Sequence, residues 1–178
     1  MKSKLSVFTP APYGKWQIHK KIIWFFRSLK CAWQRATKGY CYRDTWDLGH
    51  FYTQLFIDSI TSFKHNLHGA PSDLYDEKND SIEKWENYLD EMVFHFYNSL
   101  EENEVQKNEF EEEYHRLNPF EITKNDQNFY TLKENHEIEA IKIKEKWLER
   151  EKEISNWRVN ELNKGLDMLK ERFQSLWD

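Results

Sequence analysis

The chain has 178 residues, with 26 Lys/Arg against 31 Asp/Glu, and only two cysteines. Apolar residues make up 39%, low for a globule, but 8 Trp, 9 Tyr and 12 Phe supply the area for a core. Five Gly and four Pro are too few for a turn-rich sheet protein, and two Cys exclude a disulfide scaffold.

Charge is divided along the chain. Residues 1–43 carry ten Lys/Arg and no acid, and the first carboxylate is Asp44. The other 16 basic residues face all 31 acids, a net of −15. Such a split suits either a basic arm for an anionic partner or an arm neutralised by its own acidic body.

In chain order, residues 1–14 hold Pro10, Pro12 and Gly14 and read as an extended lead-in. Residues 15–37 read as an amphipathic helix. Lys20, Arg27, Arg35 and Lys38 share one face, and Ile18, Ile22, Phe25, Leu29, Trp33 and Ala36 the other. The apolar side is expected inward and the basic side outward. Trp24 falls among the cations, where burial by one-sided packing does not explain it. Gly39 is the expected C-cap.

Asp44 is read as the N-cap of a second helix reaching Leu67, with Leu48, Tyr52, Leu55, Phe56, Ile60, Phe63 and Leu67 as its buried stripe. Gly69-Ala70-Pro71 breaks it. After a polar linker, Asp80 with Glu83 resembles a capping box. A third helix carries Ile82, Trp85, Leu89, Met92, Val93, Phe96 and Leu100, continuing through the acidic residues 101–116. Residues 118–133 read as a loop with Phe120, Ile122, Phe129 and Tyr130 as anchors. A helix over 134–176 would run about 60 Å, with Gly165 as a possible interruption. That length, half-clad in charge, predicts packing on another chain.

The expected architecture is a single all-α domain over 1–178, a helical bundle with a long C-terminal helix, oligomeric. No apolar run reaches the roughly 18 residues of a membrane span, and no signal-peptide h-region follows Lys2 and Lys4. Cys31 and Cys41 read as reduced thiols, and no membrane partner is expected.

No phosphate-loop, dinucleotide, nucleophile-elbow or zincin motif occurs. Expected catalytic residues, metal ligands and cofactors are therefore none. His65-x-x-His68 lacks partner ligands, and one Glu112-x-x-His115 is half of what a di-metal bundle needs. Glu83, Glu86, Asp90 and Glu91 could hold a hard cation for a pyrophosphatase, but Lys84 among them suits a solvated face.

The strongest functional signal is the basic helix with Trp24, and Trp16, interleaved. Phosphates take Lys/Arg and bases take an aromatic plane. The turn Gly39-Tyr40-Cys41-Tyr42-Arg43-Asp44-Thr45-Trp46 adds three rings and a guanidinium at a helix start; its alternative role is a packed corner. The candidate ligand-binding set is Lys20, Trp24, Arg27, Arg35, Lys38, Tyr40, Tyr42, Arg43 and Trp46. A compact phosphorylated ligand suits it better than nucleic acid, which the acidic body would repel.

The run Arg35-x-x-Lys38-Gly39-Tyr40-x-x-x-Asp44-x-Trp46-x-Leu48 resembles a group of small phage-encoded proteins. Their chains share R-G-Y-S-x-x-D-x-W-x-L, an F-K-x-x-x-H-G-x-P turn, an E-W-x-x-x-L-D-x-M helix and an L-W-D end. Here stand Phe63-Lys64, His68-Gly69-Ala70-Pro71, Trp85 to Met92 and Leu176-Trp177-Asp178, with Cys41 in place of Ser and Lys84 in place of Glu. The resemblance implies expression in the cytoplasm of an infected bacterium and assigns no role residue by residue. By analogy of setting, it suggests an anti-defence protein that sequesters a small nucleotide immune signal without cleaving it. The alternatives are a protein-binding inhibitor of a host defence enzyme, using residues 101–116 or the last helix, a virion or assembly component, and a hydrolase.

Overall fold

The computed structural model describes Pro12, Gly14, residues 17–75, 81–119, 122–124 and 130–132, Asn135 and residues 137–176. Expectations resting on the lead-in, Trp16, Asp80, Phe120, Phe129, Trp177 and Asp178 lie outside the described residues.

Helices dominate: α1 (Ile18–Lys38), α2 (Leu48–His65), α3 (Ser81–Ser99), α4 (Glu111–Leu117) and α5 (Ile138–Arg172). Short 3-10 turns occupy Asp44–Trp46, Ser72–Leu74, Glu101–Asn103 and Phe173–Ser175. The segment expected to be a loop also holds a small antiparallel ladder, β1 (Ile122–Lys124) on β2 (Tyr130–Leu132), pairing Ile122 with Leu132. Alternating Ile-Thr and Tyr-Thr-Leu favour extended pairing, but three residues are too few to stand out as strand periodicity.

The expected single domain resolves into two compact units, Met1–Tyr97 with Gly165–Asp178, and Asn98–Lys164. Both boundaries fall inside helices, α3 and α5, so no Pro- or Gly-rich linker marks them in the sequence.

In the first unit, Trp85, Leu89, Met92 and Phe96 of α3 are buried with Ile57 and Ile60 of α2 and Leu169 of α5. Their spacing is the i, i+4, i+7, i+11 series expected of an inward helix face. The Phe96 ring lies 3.0 Å from where a Cβ on Gly165 would sit. Gly165 thus admits a ring against the α5 backbone, and the helix continues through it without interruption. Lys64 Nζ donates to both oxygens of Asp90 at 2.6 Å, and Tyr88 Oη donates to the Met168 carbonyl at 3.0 Å.

The second unit corrects two expectations. The helix over 81–116 is broken: α3 stops at Ser99, Glu104 takes a left-handed φ of 46°, and α4 begins at Glu111. The middle of α5 is covered within its own chain. Trp147 stacks on Tyr114 with centroids 4.4 Å apart, Asn108 donates to the Trp147 carbonyl at 3.0 Å, and Arg150 pairs with Glu109. The length of α5 therefore does not by itself require another chain. Glu161 is buried; it accepts from Asn98 at 3.1 Å and Lys164 at 2.8 Å.

One predicted apolar face points the other way, and a second does so only in part, since Ile60 of the α2 stripe is buried and Phe56, Phe63 and Leu67 are half-buried. On α1 the buried residues are Ser28 and Cys31, while Ile18, Ile22, Phe25, Leu29 and Trp33 are exposed. On α2, Phe51, Thr53, Gln54, Ile57 and Ile60 are buried, while Leu48, Tyr52 and Leu55 are exposed. The α1 residues nearest the protein body carry polar groups that a single buried corner claims, which outweighs the apolar periodicity.

Candidate functional site: the α1 corner

That corner is built from the end of α1 and the turn into α2. Gly39 ends α1 at φ 80°, and its N–H donates to the Arg35 carbonyl. A left-handed residue at this position favours Gly, because a Cβ would be strained. The chain then folds back on α1. Tyr42 N–H donates to Gln34 Oε1 at 3.1 Å, and Arg43 Nη2 donates to Ser28 Oγ at 3.4 Å.

Asp44 is the centre of the corner and is buried. It accepts from Arg35 Nε at 2.9 Å, from Arg35 Nη2, and from Cys41 N–H at 2.7 Å. Burial pushes the Asp44 carboxyl upward, but the bonds from Arg35 and Cys41 outweigh it and hold the group below its usual value. The same bond to Asp44 raises the Arg35 guanidinium. Asp44 is not the α2 N-cap. Asp47 is, accepting from His50 N–H at 3.0 Å. Asp44 faces inward to neutralise an arginine, which leaves capping to the next acid.

Cys31 and Cys41 are free and fully buried. Burial, then a hydrogen bond with Cys41, raises the Cys31 thiol. Their ten-residue separation in sequence hides this neighbourhood, which exists only because the turn folds back.

Of the nine candidate ligand residues, the structure gathers some and disperses others. Arg43 sits over the Trp24 indole, 4.1 Å from its centroid, and 5.9 Å from the Tyr42 ring. Arg27 and Tyr42, with Lys30, line an open hollow of about 340 Å³. Lys30 is the addition that the sequence reading missed, although it lies one turn beyond Arg27. Arg35 departs from the expected role, since its guanidinium is engaged by Asp44. Lys20 and Lys38 are exposed on one line of α1, but 18 residues of helix separate them by about 27 Å, beyond one small ligand. Tyr40 and Trp46 are exposed, Trp46 at 89%. The basic face is thus only partly outward: Trp24 and Arg35 turn toward the body, and Arg27, Lys30 and Lys38 toward solvent.

A second hollow, of about 430 Å³, is lined by Phe63, residues 69–73, Trp85 and Ser175. It brings together segments that the sequence separates by more than a hundred residues, and at its edge Arg172 pairs with Asp73.

Among the described residues, no group of three or more His, Cys, Asp or Glu is placed to hold one metal ion. Asp90 is instead paired with Lys64, and Glu112 and His115 are exposed. No helix among the described residues is long and apolar enough to cross a membrane. Comparison with family models, curated proteins and solved structures finds no match.

Proposed function

We propose that the protein is a non-catalytic binding protein whose α1 corner holds a small phosphorylated nucleotide. The supporting observation is the hollow bounded by Arg27, Lys30 and Tyr42, beside the Arg43–Trp24 stack. Arg27 and Lys30 form no ion pair among the described residues, so their charge is available to phosphate oxygens. Tyr42 offers a ring face to a base. The ligand contacts are Arg27, Lys30, Tyr42 and Arg43, with Trp24 supporting Arg43 from beneath. Arg35 acts through Asp44, fixing the turn that carries Tyr42 and Arg43.

In the phage setting that the sequence resemblance suggests, the bound molecule is a nucleotide immune signal, and the protein sequesters it intact in the host cytoplasm. The experiment is calorimetric titration with cyclic dinucleotides and ADP-ribose-type signals, followed by heat release and chromatography of whatever was bound. Saturable binding with intact recovery is expected. Recovery of altered ligand would make the protein an enzyme, and no binding by any of these would remove the reading. Arg27→Glu is expected to reduce affinity at least tenfold while leaving helicity unchanged, since Arg27 is exposed.

A further inference from the structure

Ile18, Ile22, Phe25, Phe26, Leu29 and Trp33 form a continuous stripe along α1, with Phe26 63% and Trp33 70% exposed. At 100° per residue the stripe is centred roughly 140° from the line through Trp24, Ser28, Cys31 and Arg35, by which α1 meets its own chain. It therefore faces away from the body. Leu48, Tyr52 and Leu55 make a shorter outward stripe on α2. From these exposures, the first stripe offers roughly 700 Å² of side-chain surface and the second roughly 250 Å², more than a monomer's largest patch usually exposes. Together they exceed the ~800 Å² per partner of a standard stable interface.

We infer that the occupant is a second copy of this chain, with α1 of each protomer lying on α2 of the other. Charge selects this pairing. The α1 stripe is flanked by Lys21 on one side and Lys30 on the other, and α1 contains no acid. Stripe-to-stripe contact of two α1 helices would set these lysines against their own copies. The α2 stripe is bordered along one side by Asp47 and Asp58, and the only lysine of α2 is Lys64 in its last turn. Placing α1 on the partner's α2 opposes one lysine flank to these carboxylates and sets no lysine against its own copy. A two-fold axis makes this contact twice, as a self-complementary interface requires. An anionic bilayer fits less well, because the chain beyond residue 43 carries a net of −15. This inference does not rest on the nucleotide reading, since it is measured without ligand.

Sedimentation velocity of the full chain at tens of micromolar tests it. The expected species has twice the 21.9 kDa mass of the chain. Phe26→Glu and Tyr52→Lys, both at exposed positions, are each expected to sediment as monomers with unchanged far-UV circular dichroism. Mixed in equal amounts, they are expected to re-form a dimer. One of its two contacts is then wild-type, and the other sets the new glutamate against the new lysine. A monomeric wild-type chain would overturn the inference. So would a Tyr52→Lys protein that stays dimeric, which would mean that α1 pairs with α1. Flotation of the wild-type chain on phosphatidylserine vesicles, lost in Phe26→Glu, would assign the stripe to lipid and likewise overturn it.

Discussion

Asp44 concentrates more of the local structure than any other single side chain of the corner. It joins the last turn of α1 to Cys41, in the turn that follows Gly39, through one carboxylate. Removing its charge leaves Arg35 partly buried without its counter-ion, and breaking such a pair costs several kcal/mol. Asp44→Asn is expected to lower unfolding free energy by about 3 kcal/mol at neutral pH, measured by urea titration. The sign with pH follows from the direction of the shift. A carboxyl held low in the folded state contributes stability above its unfolded value and loses it as pH falls through the folded one. The gap between wild type and Asp44→Asn should therefore close below about pH 4. A gap independent of pH would mean that the carboxylate is not the source of the stability. The buried thiols give a second residue-scale expectation. Cys31 and Cys41 should react with an aromatic disulfide reagent at least a hundredfold more slowly in the native protein than in urea, because both sulfurs are inaccessible and burial also disfavours the Cys31 thiolate.

At the scale of elements, α5 and α3 meet through a ring and a missing side chain. A Cβ at residue 165 would lie 3.0 Å from two carbons of Phe96. Gly165→Ala gains roughly 1 kcal/mol of helix propensity but forces a fully buried ring to move, at about 1–3 kcal/mol. A net loss of thermal stability is expected, and Gly165→Ala with Phe96→Leu should recover part of it. Were the single substitution to stabilise the protein, the Phe96 contact would not be tight. The inward positions of α3 were legible from spacing, as Trp85, Leu89, Met92 and Phe96 show. Those of α1 were not. Periodicity identifies an apolar face but says nothing of which neighbour covers it, and on α1 the chain's own body takes the face with Ser28 and Cys31. The break after α3 was hidden for a different reason. The Glu-rich residues 101–116 keep good helix propensity, yet Asn108 turns inward to bond the Trp147 carbonyl and Glu151, and the backbone follows.

For the whole molecule, the legible properties were the helical class, the long last helix and the charge division. The candidate site was legible in part. Residue types drew attention to Arg27 and Tyr42, which line one hollow, and to Trp24 and Arg43, which stack, but nothing in the sequence shows that Asp44 would engage Arg35 or that Lys30 would join Arg27. The 430 Å³ hollow was invisible, since its walls come from residues 63–85 and from Ser175. Charge division also predicts salt dependence at this scale. If Arg27 and Lys30 meet phosphates, ligand affinity should fall between 50 mM and 500 mM salt. A self-association driven by the apolar stripes should persist across the same range, so the two activities are separable by salt alone.

The bonds that close the α1 corner join residues only 8, 9 and 15 positions apart. Contacts this local form fast and need no later part of the polypeptide. The bonds from Arg172 to Asp73 and from Tyr88 to Met168 instead wait for residues 99 and 80 positions further along the chain. A nascent chain thus displays the closed α1 corner, oily side outward, before the partners of its later helices are made. If the exposed stripe pairs two copies as proposed, neighbouring chains on one messenger would meet through it early in synthesis.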